Sequence, residues 1–308
     1  MHQTKGVGHD HHHHGVTADA DGRKLATALV LILAFMCVEV AVGIVADSLA
    51  LLSDAAHMLT DAGALALSLV AIRLARRPAA GAMTYGLKRS EILAAAINGT
   101  TLLVLGVLIV IEGIRRIVNP PDVEGGLVLA VAILGIAVNL VATMILARAN
   151  RQSLNIEGAY QHILTDLAAF IATAIAGAVV LATGYGRADG IAALFVAALM
   201  LRAAYMLLKE SGRVFLEAAP RGLDPDTIGR KMAAWPGVAE VHDLHVWEVT
   251  SGFPSLSAHV IVGRNTDCHD TRRTLEAMLH DEFEIDHTTL QVEHEGGELL
   301  AIEVSPRG

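Results

Sequence analysis

Six long apolar runs occupy roughly the first two thirds of the sequence. They lie near residues 25–46, 49–72, 90–111, 127–147, 159–183 and 188–208. An α-helix of about 20 apolar residues crosses the hydrocarbon core of a bilayer, and only structures that satisfy their own backbone hydrogen bonds are stable there. The sequence therefore predicts six transmembrane helices, the first two of which are joined by a tight turn around Asp47.

Charge divides the chain into two parts. Residues 1–208 carry 14 Lys/Arg and 14 Asp/Glu, whereas residues 209–308 carry 9 and 18. An apolar, charge-balanced part is thus followed by an acidic part with the composition of a soluble domain. Because the soluble part is acidic and no basic stripe exists, the sequence argues against nucleic-acid binding.

The positive charges that flank the apolar runs predict the orientation. Twelve Lys/Arg lie on one set of flanks and three on the opposite set, which places both termini in the cytoplasm. We expect an integral protein of a bacterial inner membrane. We expect a His-rich cytoplasmic tail (1–22), a six-span transmembrane domain (23–210) and a cytoplasmic domain (211–308).

The tail contains the stretch "HDHHHHG" at residues 9–15. An affinity-tag remnant, a solvated tail and a metal-gathering tract are the alternatives. The run is broken by Asp10, which favours a native, disordered tail that binds metal weakly.

The acidic part predicts a small α+β domain with the element order α-β-β-α-β. Asp224 is placed to cap the first helix and Pro225 to occupy its first position. The stretches "VAEVHDLHVWEV" and "SLSAHVIV" alternate apolar and polar residues, as half-buried strands do. We expect both helices on one face of a three-stranded sheet, whose exposed edge favours pairing with a second copy.

Two polar pairs interrupt the apolar runs. The only histidines between residues 15 and 241 are His57 and His162, and each is followed four residues later by an aspartate, Asp61 or Asp166. Positions i and i+4 share one face of a helix, so two facing helices would present two imidazoles and two carboxylates to one point. Zinc prefers four such ligands in a tetrahedral arrangement, and the carboxylates neutralise its charge.

The chemistry of this cage favours transport over catalysis. A catalytic zinc site keeps an open position and a nearby general base, and the sequence has neither an H-E-x-x-H motif nor a phosphate-binding loop. Protons compete with metal for neutral histidine, so alternating access would couple zinc export to proton entry. An intramembrane zinc enzyme and a membrane-anchored metal sensor are the alternatives. Asp54, one turn before His57, is either a proton relay or a helix-packing partner, and we favour packing.

Four segments resemble the cation diffusion facilitators, which are six-span metal/proton antiporters. The segments read "DSLALLSDAAHMLTDAG", "YGLKRSEILAAAIN", "LNIEGAYQHILTDL" and "VHDLHVWEVTSG", in family order. The resemblance implies a homodimer and a transport site at His57, Asp61, His162 and Asp166. Family members with His at the first position resemble zinc carriers, while cadmium and cobalt are alternative substrates.

The resemblance also implies a regulatory zinc site in a metallochaperone-like cytoplasmic domain. It falls on His242, His259 and Glu293, with His245 and His287 as further candidates. His242 and His259 lie on adjacent predicted strands and Glu293 on the third. No catalytic or cofactor-binding residue is expected.

Overall fold

The computed structural model describes residues 14–45, 49–119, 125–151 and 153–295. Contacts divide the chain into two compact units, Met1–Gly212 and Arg213–Gly308. Six long helices come first: α1 (His14–Val45), α2 (Leu49–Ala75), α3 (Ser90–Val118), α4 (Gly125–Leu146), α5 (Leu154–Thr183) and α6 (Arg187–Phe215). The remaining elements are α7 (Pro225–Ala233), β1 (Val238–Glu248), β2 (Pro254–Val262), α8 (Cys268–Phe283) and β3 (His287–His294).

Five of the long helices contain a described stretch that is long and apolar enough to cross a membrane, with mean hydropathy from 2.1 to 2.5. The stretches are Asp21–Ala41, Ser90–Val118, Leu129–Leu146, Leu154–Thr183 and Gly190–Phe215. Helix α2 is not among them, and part of its side chains lies outside the described residues. The predicted fold class is confirmed: a helical membrane part precedes a domain with a three-stranded sheet.

Helix α1 begins earlier than the apolar run that predicted it. It starts at His14, so residues 14–22 are helical instead of forming a disordered tail, and residues 1–13 lie outside the described part of the chain. The start of an apolar run marks where a helix enters the hydrocarbon. It does not mark the start of the helix, because polar residues can continue the same backbone hydrogen bonds into water.

The membrane helices pack in two groups. Buried side chains such as Leu25, Leu65, Leu146 and Ile163 form one core among α1, α2, α4 and α5. A second core joins α3 to α6 through Leu102, Met200 and Ala204, among others. Lipid tails are as apolar as leucine, so close van der Waals packing and interhelical hydrogen bonds hold such helices together.

Glycines allow α3 and α6 to approach closely. A Cβ on Gly190 would lie 2.8 Å from the carbonyl oxygen of Gly113, and a Cβ on Gly113 would lie 3.0 Å from Leu194 Cδ2. Real Cβ contacts do not occur at the first of these distances, so any larger residue at Gly190 would push the helices apart.

The C-terminal unit has the predicted α-β-β-α-β order. Strand β2 is central, antiparallel to β1 and parallel to β3. Alternate β2 residues, among them Leu256, Val260 and Val262, are buried in one core with α7 and α8. The intervening residues, His259 included, therefore lie on the face of the sheet without helices.

Aspartates cap both helices of this unit. The Asp224 carboxylate accepts a hydrogen bond from the Thr227 N–H, and Asp267 accepts bonds from His269 N–H at 2.9 Å and Asp270 N–H at 3.1 Å. The backbone bonds from Asp270 and His269 lower the pKa of Asp267 below its usual 3.8. Bonds to the ionised form stabilise that form, and thereby stabilise the folded domain wherever the carboxylate is charged.

The Asp267 cap predicts how the stability of residues 213–308 depends on pH. The folded-state pKa of Asp267 is lowered, so its stabilisation is present above the unfolded pKa and is lost as pH falls through the folded pKa. Asp267→Ala should lower the melting temperature by a few degrees at pH 7, and by less at the lowest pH at which the domain stays folded. Asp267→Asn, which caps a helix equally well but does not titrate, should stay near wild type at pH 7. Equal loss in the alanine variant at both pH values would contradict this account.

Candidate metal centres

The first candidate centre lies between α2 and α5. Helix α2 carries Asp61, and one face of α5 carries His162 and Asp166 a turn apart. One potential ligand atom from each lies within 4.8 Å of the other two. Asp61 and His162 are 101 positions apart in the chain, so helix packing alone brings them together.

The distances in this group suit a small cation. His162 Nε2 lies 2.6 Å from Asp61 Oδ1 and 3.9 Å from Asp166 Oδ2. Tetrahedral zinc with bonds of 2.0–2.1 Å holds its ligand atoms about 3.3 Å apart. The two observed separations from His162 Nε2 lie on either side of this value.

Exposure differs between the imidazole and the carboxylates. The His162 side chain is 2% exposed, whereas Asp61 is 14% and Asp166 20% exposed. His162 Nδ1 is buried and has no hydrogen-bond partner among the described residues. The group thus combines a buried imidazole with two partly exposed carboxylates.

Two predicted residues lie outside the described side chains. They are His57, expected as the fourth ligand, and Asp54, expected as a packing partner or proton relay. The backbone of both is part of α2. The four-residue cage therefore stays a prediction, with three of its members brought together.

The second candidate centre lies on the helix-free face of the sheet. His242 on β1 pairs directly with His259 on β2, and the ring centroids are 5.3 Å apart. Asp243 joins them, with one potential ligand atom from each of the three within 4.8 Å of the others.

Asp243 reaches this face through an irregularity in β1. The pairing register shifts between His242 and His245, and Asp243 adopts a positive φ of 50°. A bulge turns a side chain that would otherwise point to the opposite face, and aspartate tolerates the left-handed conformation better than most residues. Sequence reasoning missed Asp243 because strict alternation assigns neighbours in a strand to opposite faces.

The other predicted ligands of this domain do not join the described group. Strand β3 pairs Gln291 with His259, and Glu293 lies beside Ile261 and accepts a hydrogen bond from Gln291. His245 pairs with Ser257, and His287 pairs with Ser255 at the far end of β3. The role of Glu293, His245 and His287 in metal binding stays a prediction.

Family comparisons give the context for both centres. A profile described as the cation efflux transmembrane domain matches residues 25–216, and one described as the cation efflux protein cytoplasmic domain matches residues 220–295. The chain belongs to the cation diffusion facilitator family. The family resemblance seen in the sequence is confirmed, and the protein is a metal cation efflux transporter, not an enzyme.

Three similar proteins that are named as metal transporters align with nearly the whole chain. The metal cation efflux system protein CzcD of Cupriavidus metallidurans is 39% identical over 94% of this chain and 90% of its own length. The zinc transporter ZitB of Escherichia coli is 37% identical over 93% and 92%. The cadmium, cobalt and zinc/H(+)-K(+) antiporter of Bacillus subtilis is 36% identical over 94% and 93%.

One solved structure is similar to part of this chain. The metal-bound C-terminal domain of the CzcD transporter from Cupriavidus metallidurans is 38% identical and covers 23% of this chain and 99% of its own, with a TM-score of 0.22.

The geometry of the second centre predicts which carboxylate binds metal. In residues 213–308, Asp243→Asn should weaken zinc binding about tenfold or more, because it removes the charged ligand beside His242 and His259. Glu293→Gln should have a smaller effect. Calorimetric titration measures both. His280→Ala is the control, since His280 contacts Asp286 outside the group. A larger loss with Glu293→Gln would show that β3 supplies the ligand.

Proposed function

We propose that this protein exports zinc from the cytoplasm in exchange for protons, by alternating access around His57, Asp61, His162 and Asp166. The observation that carries the proposal is the meeting of Asp61 with His162 and Asp166 between two apolar helices. Relatives named as a zinc transporter and as a cadmium, cobalt and zinc antiporter support zinc as substrate, with cadmium and cobalt as alternatives.

Charge explains why such a group suits a carrier. Ionisable side chains are rare at membrane depth and mark ion pathways when they occur. Two carboxylates offset the two charges of a zinc ion, and the imidazole adds a neutral ligand. His57 lies four residues before Asp61 in the sequence, and on that spacing we propose it as the fourth ligand.

Proton exchange follows from competition for the same groups. Histidine binds metal only when neutral, and its ordinary pKa of about 6.5 lies close to physiological pH. When the site faces the more acidic outer side, protonation of its ligands releases zinc there. Reopening to the cytoplasm releases the protons and restores the site for the next ion.

The remaining parts of the chain support this cycle. We assign residues 1–22 to a cytoplasmic tail that helps gather metal, 23–210 to the transporter in the bilayer, and 211–308 to a dimerising domain. The excess of Lys/Arg on one set of flanks supports cytoplasmic termini in a bacterial inner membrane. Metal at His242, Asp243 and His259 regulates transport, and nucleic acid is not a partner.

Removing a carboxylate of the transport site should abolish transport. We expect Asp61→Ala and Asp166→Ala each to lower the initial rate of zinc uptake by more than about 100-fold, because even indirect supports of a metal ligand are worth about 10- to 100-fold. The measurement is zinc uptake into inverted vesicles under an imposed pH gradient.

Glu112→Ala is the matched control for that experiment. Glu112 is also a carboxylate on a membrane helix, but it is exposed and bonds Arg116 on its own helix at 3.2 Å. Its removal should leave zinc uptake near wild type. Proton-coupled zinc uptake retained by Asp61→Ala or Asp166→Ala would exclude the proposed site.

A second variant tests whether His57 is a ligand. His57→Asp would replace one nitrogen ligand with a carboxylate that can bind through two oxygens, which relaxes the tetrahedral preference. Cadmium should gain relative to zinc in competitive flux, and the dependence on pH between 6 and 8 should weaken because one histidine is lost. An unchanged zinc-to-cadmium ratio would show that His57 does not bind the transported ion.

A further inference from the structure

Helices α2 and α5 make two polar contacts, which are separated by seven residues on each helix. The first joins Asp61 to His162. The second joins Ser68, seven residues after Asp61, to Asn155, seven residues before His162. Seven residues are almost two helical turns, so the second contact repeats the first on the same faces, about 10 Å along the helices. It lies towards the α4–α5 connection, which carries Arg148 and Arg151.

The second contact is a fully buried hydrogen bond between the helices. Asn155 Nδ2 donates to the backbone carbonyl oxygen of Ser68 at 2.9 Å, and both residues are 0% exposed. From α3, Asn98 Nδ2 donates to Ser68 Oγ at 3.1 Å. Asn155 Oδ1 is buried without a partner among the described residues, so this side chain is held by its bond to α2.

Such a bond constrains the helices more narrowly than their apolar contacts do. Neighbouring contacts in this seam come from side chains such as Leu65, Ile156 and Ile163, which belong to one buried core. Apolar side chains pack at several spacings, whereas a donor and an acceptor must meet within a few tenths of an ångström. A single buried polar group can therefore fix register between helices.

Register and spacing matter directly to the ligand group. The 2.6 Å and 3.9 Å separations around His162 Nε2 bracket the spacing of about 3.3 Å that zinc requires. A larger ion needs longer ligand distances, and a looser α2–α5 contact would permit them. The contact of Asp61 with His162 and the bond of Asn155 to Ser68 lie on the same two helices, so a change in helix spacing at one would also change the spacing at the other.

We propose that Asn155 is a positioning residue for ion selectivity. Its hydrogen bond to the Ser68 carbonyl holds α2 and α5 at the spacing that favours zinc over larger divalent cations such as cadmium. Asn155 does not bind the transported ion. The inference rests on the proposed function, because it assumes that Asp61, His162 and Asp166 hold that ion.

The test compares zinc and cadmium flux in vesicles containing the full-length protein. Asn155→Leu keeps a similar volume but removes the donor. We expect the zinc-to-cadmium ratio of initial rates in competition to fall about fivefold. The free energy that corresponds to a fivefold change lies within the range measured for the contribution of one interhelical hydrogen bond to membrane-protein stability. The ratio does not depend on how much active protein each preparation contains, so partial misfolding does not imitate the effect.

Two matched variants separate positioning from general damage. Ser68→Ala removes the hydroxyl that Asn98 contacts but keeps the backbone carbonyl that Asn155 contacts. Asn139→Leu makes the same substitution at an asparagine that is also 2% or less exposed, but whose amide donates to Gly135 O within α4 at 3.1 Å. Both variants should keep the wild-type ratio.

The outcomes distinguish this inference from the proposed function. Wild-type zinc flux with an unchanged ratio in Asn155→Leu would overturn the inference alone, and so would an equal shift in Asn139→Leu. If Asn155→Leu carries no flux, Asn155→Ala has the same expected ratio and the same contrary result. Absence of zinc flux in the wild type would overturn the proposed function, and the inference with it.

Discussion

A divalent cation can rest at membrane depth only where negative groups offset its charge, and this constraint governs the membrane part of the protein. In the proposed transport site, Asp61 and Asp166 supply the two charges, and they lie on helices that are far apart in sequence. An ionised carboxylate at membrane depth is costly, and one carboxylate alone would offset only half the charge of a divalent cation. Both carboxylates lie close to His162, so the proposed transport chemistry depends on the packing of α2 against α5.

That packing cannot rely on the hydrophobic effect, because lipid solvates apolar side chains as well as protein does. The helices instead use close backbone approach and buried polar bonds. Glycines at 113 and 190 bring α3 and α6 together. The amides of Asn98 and Asn155 converge on Ser68 and link α2, α3 and α5. The bond from Asn155 lies between α2 and α5, the same two helices that carry the candidate ligands Asp61, His162 and Asp166.

The C-terminal unit, in contrast, relies on the hydrophobic effect. Burial of Leu256, Val260 and Leu275 drives its folding in water, and capping aspartates define both helices. Its candidate metal-binding group arises where the regular alternation of the strand is interrupted. Asp243 turns towards His242 and His259 only because β1 contains an irregularity and this residue adopts a positive φ. A regular strand would have turned the Asp243 side chain to the opposite face of the sheet, away from the two imidazoles.

The sequence by itself determined the features that depend on local periodicity and composition. Apolar runs predicted the helical membrane part, alternation predicted the strands and their order, and four-residue spacing placed His162 and Asp166 on one face. Only the tertiary structure decided what depends on register between distant segments. It brought Asp61 to His162, put Gln291 instead of Glu293 beside His259, and paired Asn155 with Ser68. Local patterns repeat along a helix or strand, so they fix which face a residue occupies. They do not determine which turns of two helices, or which residues of two strands, come into contact, because that depends on how side chains pack across the interface.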